Sequence, residues 1–594
     1  MGKFQPYDPA AHPHVWQSPQ FDDLFGCPCC APALGELLRQ SGIDMELQAR
    51  RFTRPPPRPE AAPLAIRNAR ILTMNAAMPD AEAMLIRDGR ITWIGADGDV
   101  DAHAEGDELR IDCRGKTLLP GFIEPHMHLA SIALLARFEN IGPLRYASFD
   151  AALARLHEVA AAAGPDDWIM ARQFDPSLQE GPLELTADLL DGVSTRNPVY
   201  VYNASLHFGY CNSRALELAG ITAETPDPAG SEFGRYPDGS PNGVLKGGAC
   251  MAAVSRHNPA LHGLDLVAAC LDVFKHANKK GLTTVVDQGT GALQGRKELE
   301  IYRALRESNA MTVRFRYSLF NTLAEHWDQT ELHCGDGDEW VRATGWKIVT
   351  DGSNQGRTGL QREEFLNTGG FGIAYIEPEV LNADVARRLG EGWQVVIHAN
   401  GDAAIDRALD AFEHAAAQGR DIAGRRCRIE HCSILHDEQI ERIAALGISP
   451  SFLIGHVYYW GKAFRDDIFG PDKAALLDRT AACEARGIRW TLHSDEPVTE
   501  MDPLRCIENA VTRRMWKAPD EVLADQECIS VETALRAMTI DAAWQCHSDH
   551  EIGSLETGKL ADFIVLDADP RTVPTTQISS IAVNETWVGG QRVH

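Results

Sequence analysis

The feature that most constrains the fold is a long alternation of short apolar strands and helical segments through the middle of the chain. Such an alternation is typical of parallel strands joined by helical crossovers, and eight such units close into a barrel. The strand candidates lie at about 119–128, 282–288, 314–320, 345–351, 394–398, 427–431, 448–453 and 489–495. We therefore predict an α/β fold with a (β/α)8 TIM barrel, in a domain over residues 119–551.

Short strand patterns without helices between them lie on either side of this region. They fall at 64–67, 70–74, 83–86 and 90–94 before the barrel, and at 561–566 and 581–588 after it. Asp88-Gly89 separates two of them, which is typical of a β-hairpin. Short strands with one apolar face need a partner sheet. We therefore predict that residues 63–118 and 552–594 form one small composite β-sandwich.

Two further segments do not fit the barrel count. Residues from about 140 to 262 contain extra strand patterns and a Gly/Pro/Asp-rich stretch, so we interpret them as an insertion after the first barrel strand. Residues 1–62 end in a Pro-rich stretch and are interpreted as an N-terminal extension. Its Cys27, Cys29 and Cys30 lie close together, but no second Cys/His pair stands nearby to complete a metal site.

The strongest chemical motif is His126-Met127-His128, which follows an apolar strand. Alternate residues of a strand point to the same side, so the two imidazoles project together and make half of a metal site. His12-Pro13-His14 has the same spacing, but its proline prevents strand pairing and no apolar strand precedes it. We interpret only the pair at 126 and 128 as functional.

Polar residues end or nearly end four other predicted barrel strands: Lys347, His398, His431 and Asp495. The carboxyl ends of all barrel strands meet on one face, where enzymes of this fold carry their chemistry. Packing alone does not explain four polar residues that follow separate apolar strands. We therefore predict that these side chains and the histidine pair share one site.

These motifs together resemble the amidohydrolase superfamily, and most closely its YtcJ-like branch, the group that contains N-substituted formamide deformylase. The matching segments are 120–128, 211–216, 226–228, 346–353, 397–402, 429–431, 493–498 and 552–562. The resemblance covers roughly residues 63 to 594, and the motifs are highly specific as a set. It implies a metal-dependent hydrolase that cleaves an amide-type C–N bond in an N-acyl or N-formyl substrate.

The resemblance also implies a site with two divalent ions, for which we expect zinc. His126, His128 and Asp495 would hold one ion, and His398 and His431 the other, with Lys347 between them as a carbamate. An ammonium group cannot ligate a cation, whereas a carbamate supplies anionic oxygens. The same comparison makes Asp495 the catalytic residue that takes a proton from metal-activated water and delivers it to the leaving nitrogen.

Two residues are candidates for substrate binding. His207 matches a family position that faces substrate, and Arg357 lies in a Gly-rich stretch after the fourth barrel strand. Core packing for the histidine, and a solvated loop position for the arginine, are the alternatives.

Composition bears mainly on partners and location. The formal net charge of −27 argues against a nucleic-acid or anionic-membrane partner. The first residues contain no apolar segment of a secretory signal, and 14 cysteines without regular spacing are typical of reduced thiols. We expect a cytoplasmic protein that acts on a small molecule as a homo-oligomer, most simply a dimer.

Other functions fit the same residues. A cyclic amide, imide or amidine hydrolase, or a non-hydrolytic lyase, would use the same scaffold, because one fold serves many chemistries. A metal-bound protein without catalytic activity is an alternative from another class, although it would have no need of the proton shuttle at Asp495.

Overall fold

A computed structural model describes residues 44–53, 61–176, 178–182, 184–204, 206, 208–228, 231–259 and 264–594. Most of the predicted N-terminal extension, including Cys27, Cys29 and Cys30, lies outside the described residues. His207 also lies outside them.

The described strands, numbered in chain order, are β1 (Leu64–Arg67), β2 (Arg70–Leu72), β3 (Asp80–Ala81), β4 (Ala83–Arg87), β5 (Arg90–Gly95), β6 (Leu109–Asp112), β7 (Thr117–Pro120), β8 (Phe122–Met127), β9 (Glu139–Asn140), β10 (Ile169–Phe174), β11 (Val199–Asn203), β12 (Phe208–Cys211), β13 (Glu232–Arg235), β14 (Pro241–Lys246), β15 (Leu282–Thr290), β16 (Arg314–Phe320), β17 (Val341–Val349), β18 (Gln394–Ala399), β19 (Arg428–His431), β20 (Ser449–Phe452), β21 (Thr491–Leu492), β22 (Arg514–Met515), β23 (Ala518–Val522), β24 (Phe563–Leu566), β25 (Val583–Val588) and β26 (Gln591–Arg592).

The longer described helices are α1 (Met45–Arg51), α2 (Leu129–Leu135), α3 (Phe149–Ala162), α4 (Ser213–Ala219), α5 (Gly248–Ser255), α6 (Leu266–Lys279), α7 (Lys297–Glu307), α8 (Pro378–Gly390), α9 (Asp402–Ala417), α10 (Asp437–Leu446), α11 (Pro503–Thr512) and α12 (Val531–Ala537). None of the helices in the described part of the chain is long and apolar enough to cross a bilayer.

The predicted barrel is confirmed. Eight parallel strands pair in the order β8, β15, β16, β17, β18, β19, β20 and β21. The first and last strands meet just beyond their ends, where the backbone N–H of His128 donates to the carbonyl oxygen of Glu496 at 3.0 Å. This bond completes the ring, so residues at the two ends of the barrel sequence become neighbours.

Helices cover the outside of the barrel because each presents one apolar face to the strands. In α9, which begins after Gly401, the buried positions include Ile405, Ala408, Leu409 and Phe412. Their spacing of three and four residues places them on one side of an α-helix. The apolar face lies against the barrel core, and Asp410 and Glu413 face solvent, whereas Asp402 in the first turn is buried.

The expected insertion lies between β8 and β15, the first and second barrel strands. It contains a six-stranded sheet in the order β13, β14, β12, β11, β10 and β9. This sheet has its own buried apolar cluster, which includes Phe149, Phe174, Val201 and Tyr210. The insertion is therefore a folded unit with a core of its own.

The chain ends combine into the expected sandwich. One sheet has the order β5, β4, β1 and β6, and the other has the order β26, β25, β24, β7, β2 and β3. In the second sheet, β24 pairs with β25 on one side and with β7 on the other. The two sheets share a buried cluster that includes Ile66, Met84, Leu118, Phe563 and Trp587, so residues from both chain ends build a single core.

A buried ion pair joins this composite sandwich to the barrel. Arg314, on β16, donates from Nε to Oδ2 of Asp562 at 2.6 Å and from Nη2 to Oδ1 at 2.9 Å. Only 1% and 3% of the two side chains is exposed. A bidentate pair of this kind is favourable only while both charges are present, because either one alone would be buried without compensation.

We predict that Asp562→Ala lowers the free energy of unfolding of the whole protein by about 3–5 kcal/mol, because the substitution leaves Arg314 buried and unpaired. Denaturant unfolding of the full chain measures this change. As a control, Arg592→Ala removes an exposed ion pair with Glu585 and is expected to cost at most about 1 kcal/mol. Equal effects of the two substitutions would contradict the structural role given to the buried pair.

Candidate metal centre

The polar residues predicted from the strand ends come together at one end of the barrel. His126 lies on β8, Lys347 on β17, His398 on β18 and His431 at the end of β19. Asp495 follows β21 by three residues, at a positive φ of 55°. Each of these side chains is nearly or completely buried. The barrel therefore gathers them in a space shielded from bulk water.

His126, His128 and Asp495 form the tightest group. Oδ1 of Asp495 lies 3.3 Å from Nε2 of His126 and 3.1 Å from Nε2 of His128. One ligand atom from each residue falls within 4.8 Å of the others, a spacing that allows all three to bind one ion. Two imidazoles and a carboxylate are a common ligand set for zinc.

His398 and His431 form a second pair beside this group. Nε2 of His431 lies 2.9 Å from Nδ1 of His398. The opposite nitrogen of His398, Nε2, lies 3.2 Å from the carbonyl oxygen of Gly352 and 3.4 Å from Oδ1 of Asp351. Nδ2 of Asn400 lies 3.1 Å from the same Nε2, so these contacts hold the ring with Nδ1 towards His431.

Lys347 lies beside the first histidine group. Its Nζ is 3.4 Å from Nε2 of His126, and the residue is fully buried. An ammonium at this place would repel a nearby cation, whereas a carbamate on the same nitrogen would offer it two oxygens. Lys347 therefore lies within reach of the first histidine group.

Burial keeps His126, His431 and His493 in their neutral form. It lowers the pKa of His126, His431 and His493 well below the usual value, and neighbouring positive groups lower it further. Burial also lowers the pKa of His456, next to the site, to about 3. Neutral imidazole is the form that binds a metal.

Asp495 gives the clearest indication of whether these residues suit a metal ion. Neither of its carboxylate oxygens accepts a hydrogen bond from the described residues, although the residue is only 1% exposed. A buried carboxylate without hydrogen bonds is costly unless a cation balances it. The residues present therefore suit a divalent ion held by Asp495 and the surrounding histidines.

Comparison with known proteins identifies the family of this chain. Residues 110–594 match the model of a family described as the amidohydrolase family. The chain belongs to the amidohydrolase family. This family member is therefore a hydrolase, and the predicted resemblance is confirmed.

Two relatives cover nearly all of this amidohydrolase. The protein LONG AFTER FAR-RED 3 of Arabidopsis thaliana is 30% identical over 550 residues, which are 91% of this chain and 93% of that protein. The N-substituted formamide deformylase of Arthrobacter pascens is 30% identical over 540 residues, 89% of this chain and 97% of that enzyme.

The same fold occurs in solved structures. An uncharacterized metal-dependent hydrolase from Pyrococcus horikoshii OT3 superposes with a TM-score of 0.69 at 23% sequence identity. The superposition covers 86% of this chain and 99% of that one. At this level of identity the similarity concerns the fold alone.

The amidohydrolase site also contains residues that sequence reasoning did not assign. Glu430, on β19, lies 2.5 Å from Nδ1 of His126 through its Oε2, and Arg428 donates to both of its oxygens. Burial raises the pKa of the Glu430 carboxyl, and the Arg428 guanidinium opposes that rise. The ring of His493 stacks on the ring of His126 at a centroid distance of 4.7 Å. Two charged residues at alternate positions of a buried strand, Arg428 and Glu430, were the available signal.

Asp351 organises the loops around His398. Its carboxylate accepts hydrogen bonds from the backbone N–H groups of Leu360, Asn400 and Gly401 at 2.8 to 3.0 Å. These donors lie after β17 and β18, so one buried side chain ties together the loops that follow two neighbouring strands. The sequence motif that contains Asp351 gives no indication of this role.

Arg357 is the one of the two predicted substrate-binding residues that the structure describes, and none of its described contacts reaches the metal centre. Arg357 is half-buried in the loop after β17, and its Nη2 lies 3.5 Å from the carbonyl oxygen of Asp467. That contact joins the loops that follow the fourth and seventh barrel strands. Substrate binding by Arg357 remains a prediction, and His207 lies outside the described residues.

Gly289 lies against His128 with no room for a side chain. A Cβ built there would be 2.8 Å from Nδ1 of His128. The space is closed by the imidazole itself, so a larger residue would push the ring from its position.

We predict that Gly289→Ala lowers the free energy of unfolding by about 1–3 kcal/mol through overpacking of the His128 ring. Gly98→Ala is the matched control, because a Cβ there meets no atom within 4 Å, and we expect a change within about 0.5 kcal/mol. Thermal or denaturant unfolding compares the two. A Gly289→Ala protein as stable as the Gly98→Ala protein would show that His128 does not occupy this position.

Proposed function

We propose that this amidohydrolase is a metal-dependent enzyme that cleaves an amide-type C–N bond in a small N-acyl or N-formyl substrate. The observation that carries the proposal is the convergence of buried histidines, Asp495 and Lys347 at one end of the barrel. The converging residues are His126, His128, Lys347, His398, His431 and Asp495. The name of the relative from Arthrobacter pascens, N-substituted formamide deformylase, supports an amide carbonyl as the reacting group.

Two divalent ions fit the residues present. His126, His128 and Asp495 would hold one, and His398 and His431 the other. Lys347 would bridge them after its unprotonated amine adds to CO2 and loses a proton. Imidazole and carboxylate ligands favour zinc. When bound, such ions lower the pKa of a water molecule and polarise a carbonyl oxygen.

The proton transfers belong to Asp495. Its carboxylate is close to both histidines of the first group and accepts no hydrogen bond from the described residues. A carboxylate oxygen so placed accepts a proton from the attacking water. It then delivers this proton to the nitrogen that leaves when the C–N bond breaks. The products are a carboxylic acid, or formic acid for an N-formyl substrate, and an amine.

The burial of the site supports cleavage of an amide bond. The metal-binding side chains are at most 4% exposed. Electrostatic interactions are stronger where water is excluded. The charged groups of the site would therefore polarise the carbonyl group of a bound amide more strongly than they would in water.

We predict that the zinc-loaded protein releases amine from at least one N-formyl or N-acyl amine in a panel that also contains cyclic amides and imides. A chelator should abolish the activity, and added zinc should restore it, because the metal activates the water. Amine release is followed by a colorimetric or mass-spectrometric assay.

Asp495→Asn is the matched variant for this assay. It is expected to keep the fold while losing about 10²–10⁴-fold in turnover, because an amide cannot accept the proton. Turnover that is unaffected by the chelator, or near wild-type turnover in the variant, would contradict the proposed mechanism. Metal binding with no turnover on any substrate would favour a non-catalytic binding protein.

A further inference from the structure

A buried line of polar contacts runs from the barrel interior to the metal centre, and the proposed mechanism does not use it. Arg428 and Glu430 lie on β19, and both are fully buried. Nε of Arg428 donates to Oε1 of Glu430 at 2.8 Å, and Nη2 donates to Oε2 at 2.9 Å. The same Oε2 lies 2.5 Å from Nδ1 of His126. A guanidinium, a carboxylate and an imidazole are thus connected in sequence.

The donor and acceptor capacities of these groups fix the tautomer of His126. A guanidinium only donates. A carboxylate that accepts from two guanidinium N–H groups is ionised and only accepts. Nδ1 of His126 must therefore carry the hydrogen, and Nε2 keeps its lone pair. Nε2 is the nitrogen that faces Asp495, 3.3 Å from Oδ1. The Arg428–Glu430 pair thus determines which nitrogen of His126 is free to bind a cation.

Two more contacts hold this arrangement in place. Nη2 of Arg428 also donates to the carbonyl oxygen of Pro125 at 3.1 Å, which ties the pair to the backbone beside His126. The ring of His493 lies on the ring of His126 with only 15° between their planes. The imidazole is therefore held at one edge by Glu430 and across one face by His493.

His126, Glu430 and His493 also lie close enough together to surround an ion. Arg428 argues against an ion at that place, because its guanidinium already balances the charge of Glu430 and would repel a second cation. An ion there would also need the nitrogen of His126 that carries the hydrogen. The three residues are better explained as support for the neighbouring group of His126, His128 and Asp495.

We infer that Glu430, held by Arg428, is a positioning residue that orients His126 and strengthens metal binding by the group of His126, His128 and Asp495. The inference rests on the proposed metal-dependent function. Outer partners of metal-binding histidines change metal affinity by about 10–100-fold when they are removed. A similar loss is expected here.

The test compares cobalt(II) binding by the metal-free full-length protein and by its Glu430→Gln variant. Cobalt is the probe because its visible absorption reports on its ligands. We expect Glu430→Gln to bind cobalt about 10–100-fold more weakly and with an altered spectrum. Glu430→Asp keeps a charge for Arg428 but withdraws the oxygen from His126. It is expected to weaken binding as well, and it carries the test if Glu430→Gln does not fold.

Asp562→Asn is the matched control, because it disrupts another buried arginine–carboxylate pair, with Arg314 on β16. It should lower stability yet leave cobalt affinity and spectrum unchanged. Wild-type affinity and spectrum in both Glu430 variants would overturn the inference alone. An equal loss of affinity in Asp562→Asn would also overturn it, because the effect would then follow stability. A wild-type protein that binds no cobalt would instead refute the proposed function, and the inference with it.

Discussion

The metal centre depends on the contact between the first and last strands of the barrel. The hydrogen bond from the backbone of His128 to Glu496 brings Asp495 against two histidines that lie almost 370 residues earlier in the chain. Glu124 strengthens the same junction, because its carboxyl accepts from the hydroxyl of Ser494 at 2.7 Å and also faces the backbone N–H of Ser494. Burial raises the pKa of Glu124 to about 8. Without barrel closure the first ligand group would not exist.

The second constraint is electrostatic. The site concentrates imidazoles that burial keeps neutral around a carboxylate to which no described residue donates a hydrogen bond. Burying this carboxylate without a cation costs free energy, because a buried negative charge has lost its hydration. The outer contacts, Glu430 on His126 and the Gly352 carbonyl oxygen and Asn400 amide near His398, hold these two imidazole rings in place. Fold and charge together make a site prepared for metal.

Much of the fold was predictable because it depends on local patterns. Asp88 and Gly89 have φ values of 52° and 73° between the paired strands β4 and β5, as the predicted hairpin requires. The barrel strands followed from apolar runs, and the principal site residues from their positions near strand ends. The strand that contains Lys347 continues to Val349, so this lysine lies inside its strand and reaches the site through its length.

The remaining features depend on contacts between distant segments, which one sequence does not specify. The link between Glu430 and His126 requires the relative positions of β19 and β8, which follow from strand register and barrel geometry. The pairing of Arg314 with Asp562 likewise arises only when the composite sandwich packs on the barrel. The π-helical turn at His456–Trp460 is also set by tertiary packing, since its aromatic residues alone indicate no such geometry.

The most direct measurement is a crystal structure of the zinc-loaded protein with anomalous data collected at the zinc edge. We expect one anomalous peak among His126, His128 and Asp495 and another beside His398 and His431. Electron density should also extend from Nζ of Lys347 as a carbamate between the two peaks. A zinc-loaded crystal with no anomalous peak at these residues, and with a bare ammonium at Lys347, would contradict this expectation.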